Sequence, residues 1–156
     1  MATDPVRRES EPARRALALA ATAQLILTSV HHVHGALAFD TPWRLHILYL
    51  AVPVLAVIWA LLRLPEGRGR RRARAAALVA LLFPAAMIGV YEGGYNHVLK
   101  NLIYFAAGET AARHLFPAPL HEMPTDLPFE LTGIAQFFLG LWVGKAALRL
   151  LSGREP

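Results

Sequence analysis

The chain contains no cysteine among its 156 residues. Disulfides, thiolate metal sites and cysteine nucleophiles are thereby excluded together. Acidic side chains are few, 11 against 16 Lys and Arg. The HExxH zinc motif is absent, and so is any internal repeat. Also missing is the 3.6-residue alternation of polar and apolar residues that marks a soluble amphipathic helix.

What the chain does have is long apolar blocks; 55% of its residues are hydrophobic. A hydrocarbon layer about 30 Å thick needs about 20 apolar residues at 1.5 Å each. Four blocks meet that length, at about 16–39, 43–64, 75–97 and 128–151. Runs this long far exceed a barrel strand, so the spans are helical. The expected fold is all-α and integral to the membrane, an antiparallel bundle of four transmembrane helices. Residues 1–15 read as a disordered cytoplasmic arm. Residues 98–127 read as an outer interfacial segment, a less hydrophobic helical stretch from Val98 to about Ala112 that continues the third block, and then a loop that carries Pro117, Pro119 and Pro124. The first block reads as a retained helix rather than a signal peptide, because its apolar run continues past Ala20–Ala23 through Ile26, Leu27 and Val30.

The basic residues set an orientation. Thirteen of the sixteen lie in the N-terminal arm, the 63–74 stretch and the C-terminal end, leaving Arg44, Lys100 and Arg113 on the other side. The positive-inside rule then places both termini in the cytoplasm. The bacterial inner (plasma) membrane is the default location. The 63–74 arginine run fits a topology signal and a contact with anionic lipid; nucleic acid is not an expected partner.

All seven histidines fall on the outer side of this topology, with Asp40, Glu92, Glu109, Glu122, Asp126 and Glu130. Helical spacing groups some of them. Gln24, Thr28, His31 or His32, and Gly35 make one stripe; Ala85, Gly89, Glu92 and Asn96 a second; Glu130, Gly133, Gln136, Gly140 and Gly144 a third. Lipid leaves polar groups unpaired, so these stripes are expected to face one another. Imidazole and carboxylate without thiolate suit a transition metal such as Zn, Fe or Cu. The expected ligands are drawn from His31, His34, His46, Glu92, His97 and Glu130, with Tyr95 or Asn96 orienting a substrate. Haem held between two histidines is the alternative cofactor.

Other roles are assigned to the remaining polar residues. His114 and His121 read as solvated, and His32 as an interfacial side chain. Gln24 and Thr28 read as interhelical hydrogen bonders, and Gly93-Gly94 as a break or kink in the third helix. Glycines at four-residue spacing, Gly89/Gly93 and Gly140/Gly144, are expected to let helices approach, in the bundle or in a homo- or hetero-oligomer. The leading function is a metal-binding membrane protein or metalloenzyme. The alternatives are a non-enzymatic subunit or assembly factor, and a small proton-linked transporter.

Overall fold

The computed structural model describes residues 5–63 and 69–152. These form helices α1 (Pro5–Ala38), α2 (His46–Arg63), α3 (Gly69–Ala80), α4 (Lys100–Ala107), α5 (Glu109–Leu115) and α6 (Leu127–Ser152). A 3₁₀ turn, Pro42–Leu45, leads into α2, and a π-wound segment, Leu81–Leu99, joins α3 to α4 without a break. Four of the resulting rods are long and apolar enough to cross a membrane: Glu11–Ala38, Pro42–Arg63, Arg70–Ala107 and Leu127–Ser152.

The rods differ from expectation at two ends. α1 takes in residues 5–15, which were expected to be irregular; residues 1–4, Arg68 of the arginine run and Arg154 lie outside the described residues. The third rod does not stop or break at Gly93-Gly94 but runs on to Ala107. The winding loosens there instead, and the Lys100 N–H bonds the Tyr95 carbonyl five residues back. Closing hydrogen bonds at five residues brings positions i, i+4 and i+5 near one face. Glu92, Asn96 and His97 have that spacing.

Contacts between rods give the direction of each. Gly89 lies against Gly140, Gly93 against Phe137, and Gly133 against His97, so the third rod and α6 run antiparallel. His31 meets Thr132, whereas Leu17 and Ala20 cluster with Val143 and Ala146, so α1 is also antiparallel to α6. α2 returns along α1, with Ile47 and Ala51 near Leu25 and with Ile58 and Leu62 near Leu17.

The interior has two unlike halves. Around the α1 N-terminal half it is filled by Leu17, Ala18, Ala20, Ala21, Ala76, Ala77, Ala80, Ala146 and Ala147. At the other end buried polar residues gather among apolar ones such as Phe129 and Ile88: Gln24, Thr28, His31, His97, Lys100, Glu130 and Gln136. Outward-facing apolar side chains such as Leu37 (80% exposed), Tyr49 (82%) and Phe105 (76%) suit contact with lipid.

Three of the glycines serve this packing. A Cβ on Gly89 would collide with the Cα of Gly140, and one on Gly93 would collide with the backbone of Phe137. Gly89, Gly93 and Gly140 thus serve close approach within the bundle, one of the two expected uses. Gly144 is less crowded, its nearest neighbour being the Ala85 Cβ at 4.0 Å. Gly140→Ala is expected to destabilise by about 1–3 kcal/mol, since the rods must part to admit a methyl group. Thermal melting in detergent measures this, and an unchanged melting temperature would contradict the close approach.

Candidate metal centre

Three of the expected ligands come together. His31 on α1 and Glu92 and His97 on the π segment each offer one ligand atom, all within 4.8 Å of one another. His31 Nε2 and His97 Nε2 each stand 3.7 Å from the same oxygen, Glu92 Oε1. Both imidazoles are buried, at 0% and 1% exposure.

The hydrogen bonds on the far side of each ring decide which nitrogen carries the proton. His97 Nδ1 lies 2.8 Å from Glu130 Oε2. A carboxylate only accepts, so Nδ1 is the donor, and in the neutral ring Nε2 carries the lone pair and faces Glu92. His31 Nδ1 lies 2.9 Å from Thr132 Oγ1. That hydroxyl donates its own hydrogen to the Pro128 carbonyl at 2.7 Å, so it accepts from His31. The His31 Nε2 lone pair therefore also points inward, and this buried atom has no hydrogen-bond partner among the described residues.

Glu92 is held in the same manner, by Asn96 Nδ2 donating to its other oxygen at 2.8 Å. Each of the three groups thus has its remaining polar atom tied by a neighbour, the arrangement that orients metal ligands. Glu130 is fixed in turn by Lys100 Nζ at 2.8 Å, and Lys100 also donates to the Glu122 carbonyl. Phe129 stacks on His31 at 4.2 Å between ring centroids and closes that side. Gly133 leaves the room occupied by the His97 ring, which any Cβ there would overlap.

The other expected ligands have different duties. Glu130 binds His97 and Lys100 and does not face Glu92's acceptor oxygen. His34 pairs through Nε2 with Asp126 Oδ1 at 2.9 Å, away from the three. His46 donates Nδ1–H to the Trp43 carbonyl at 2.7 Å and stacks on the Trp43 ring. His32, expected at an interface, is buried and donates to the Thr28 carbonyl at 3.0 Å. His121 is half-buried and lines the cavity beside the site. Gln24 and Thr28 do not bond between helices. Thr28 Oγ1 approaches His32 on its own helix, and the amide atoms of Gln24 have no partner among the described residues.

Haem does not fit this geometry. A bis-histidine haem needs its two imidazoles on opposite faces of a flat ring, and here they meet edge to face at 4.7 Å between centroids. A cavity of about 200 Å³ adjoins Glu92 and His97, and its wall includes His32, His46, Arg44 and Lys100.

Among the described residues, sequence reading missed Thr132, Lys100 and Arg44 as parts of this region. Arg44 is buried, donates to Thr41 and Glu122, and lies over the Trp43 ring at 4.8 Å. Lys100 had a visible signal, its three-residue spacing from His97 on one helix. Asp126 had one too, standing before Leu127-Pro128 as a helix N-cap.

Asp126 Oδ1 accepts the Phe129 N–H at 2.8 Å. That bond first, and the His34 pair second, hold its carboxyl below the usual range. A lowered carboxyl stabilises the fold above its unfolded value, near 3.9, and loses that contribution as the pH falls through the lowered one. Asp126→Ala is expected to cost about 1 kcal/mol at pH 7. The gap in melting temperature from wild type should close below about pH 4; a gap that persists undiminished at pH 3 would contradict the ionic cap.

Comparison with known proteins returned no matching family model, no matching curated protein and no matching solved structure.

Proposed function

We propose that this chain is a multi-pass membrane metalloprotein that holds one divalent transition metal ion on His31, Glu92 and His97, and that the ion serves catalysis. The observation that carries this reading is the convergence of two imidazole lone pairs and a carboxylate oxygen, all acceptors, in one buried place. Acceptors without a donor repel one another, and a cation removes that cost. A shared proton is the rival cation, but its hydrogen bond would draw the atoms to about 2.8 Å. Both gaps are 3.7 Å. Two atoms bound at about 2.1 Å to one ion stand roughly 3.0–3.6 Å apart, depending on the angle, so a small inward shift closes the site.

Two imidazoles and one carboxylate are a donor set for Zn²⁺ or Fe²⁺, and three protein ligands with an open side are the pattern of a catalytic rather than a structural ion. The ion would supply Lewis acidity and an activated water. With a divalent ion the charge of ligands plus metal is +1, which favours hydroxide or an anionic oxygen at the open position. Asn96 keeps Glu92 aimed at the ion, and Glu130 and Thr132 keep both rings in the ligating tautomer. The exposed rings of Trp43 and Tyr91 stand at the cavity edge and suit an amphiphilic substrate presented from the bilayer. Both termini face the cytoplasm in this reading, and the site lies toward the opposite surface.

The alanine-rich packing of the other half of the interior does not favour the transporter reading. Elemental analysis of detergent-purified protein tests the proposal. About one equivalent of Zn or Fe per chain is expected. Protein that carries no metal and takes up none on dialysis against Zn²⁺, Fe²⁺ or Co²⁺ refutes it.

A further inference from the structure

Four imidazole rings form a continuous chain from the surface into the proposed metal centre. His46 is exposed, His32 is 7% exposed and His31 is fully buried. Successive centroids are 6.1 Å apart for His46 and His32, 5.3 Å for His32 and His31, and 4.7 Å for His31 and His97. The last two are proposed ligands; the first two have no role there.

We propose that His46 and His32 are a loading track, a pair of weak metal-binding positions that hand a divalent ion from the outer surface to the His31–Glu92–His97 site. The inference rests on the metal-site reading above. Both rings donate Nδ1–H to a main-chain carbonyl, His46 to Trp43 at 2.7 Å and His32 to Thr28 at 3.0 Å. A carbonyl only accepts, so each Nδ1 keeps its proton, and Nε2 is the nitrogen left for a metal. Both residues line the cavity that adjoins Glu92 and His97. Nε2 is thus the nitrogen that each ring would offer a cation.

The physical need for such a track is desolvation. A hydrated divalent ion cannot enter a buried site without shedding water, and shedding it all at once is prohibitively costly. Exchange of water for imidazole nitrogen, one ligand at a time, spreads that cost over small steps. No bond other than metal–ligand bonds is made or broken, and the ion's charge is unchanged. The two cations on the cavity wall do not bar the way, because each has an anionic partner: Arg44 has Glu122 at 3.3 Å and Lys100 has Glu130 at 2.8 Å. His121, also on the wall, packs its ring on Phe116 and is not part of the chain of imidazole contacts.

A track changes rates and not equilibria, which separates it from a ligand. The experiment mixes metal-free, detergent-purified full-length protein with CoCl₂ in a stopped-flow instrument and follows the visible absorption of bound Co²⁺. Equilibrium affinity is measured separately by chelator competition. In His46→Ala and His46→Gln, loading is expected to slow by roughly tenfold or more, the scale on which a guiding cleft speeds association. Affinity should stay at the wild-type value, so release must slow by the same factor. His114→Ala, on α5 and away from the cavity wall, should load as wild type does. Equal loading rates in wild type and both His46 variants would overturn the track while leaving the metal site standing. Weaker affinity with an unchanged loading rate would also overturn it, making His46 a ligand. Wild-type protein that binds no Co²⁺ sinks the metal-site reading itself, a different outcome from either.

Discussion

Alanine in place of His31 or His97 is expected to lower affinity for Zn²⁺ or Co²⁺ by more than a hundredfold, beyond the roughly 10–100-fold that outer-shell changes cost. Each substitution removes one of the three proposed donors; His34 is committed to Asp126, and Glu130 to His97 and Lys100. The double variant should bind no more weakly than solvent-exposed histidines do. Glu92→Gln keeps the shape and removes the charge, so it should also weaken binding, with Asn96 losing an ionic acceptor. His34→Ala is the control, since that ring lies outside the three. Isothermal titration with Zn²⁺ reads all of these, and equal affinities in wild type and His97→Ala would remove the site.

The second large effect concerns Lys100, which is 1% exposed. Its ammonium group is held by Glu130 Oε1 at 2.8 Å and by the Glu122 carbonyl. Lys100→Met leaves the Glu130 carboxylate buried with one cationic partner gone, a change that typically costs about 3–5 kcal/mol. The pair's attraction offsets its desolvation only while both members are present. Lys100→Met combined with Glu130→Gln should therefore recover much of the lost stability, because no unpaired charge remains. His97 would still have an acceptor in the glutamine oxygen. Melting curves of the two single variants and the double variant form the test. Strictly additive losses would show that the two groups do not act as a pair.

These two outcomes bear on different layers of one structure. The first probes the atoms that face the proposed ion, the second the ion pair that keeps His97 in its tautomer through Glu130. A Lys100→Met protein that folds should show weaker metal binding by roughly tenfold, as outer-shell disturbances do.

Much of the fold was legible in the chain because the solvent for its outer surface is uniform. Any span must be apolar over about 30 Å, and that demand is written in composition and length alone. The polar stripes were legible for the same reason: Gln24, His31, Glu92, His97, Glu130 and Gln136 had to be sheltered, and all but partly exposed Glu92 are buried. Where the reading strayed, the cause was packing. Gly93-Gly94 has the composition of a helix break, yet α6 approaches Gly93 so closely that the glycine is needed within a continuous rod. The glycine stripes were recognisable as close-approach surfaces, but nothing local says whether the approaching backbone belongs to the same chain.

Sequence by itself determined that the chain has four apolar spans and that imidazole and carboxylate gather toward one end of them. Only the tertiary structure decided which of six candidate ligands converge, His31, Glu92 and His97, and which are diverted. The physical reason is that a histidine's usefulness to a metal depends on what its other nitrogen meets. Glu130 and Thr132, more than 30 and 100 residues away from the rings they hold, come into reach only when α6 packs antiparallel to both partners.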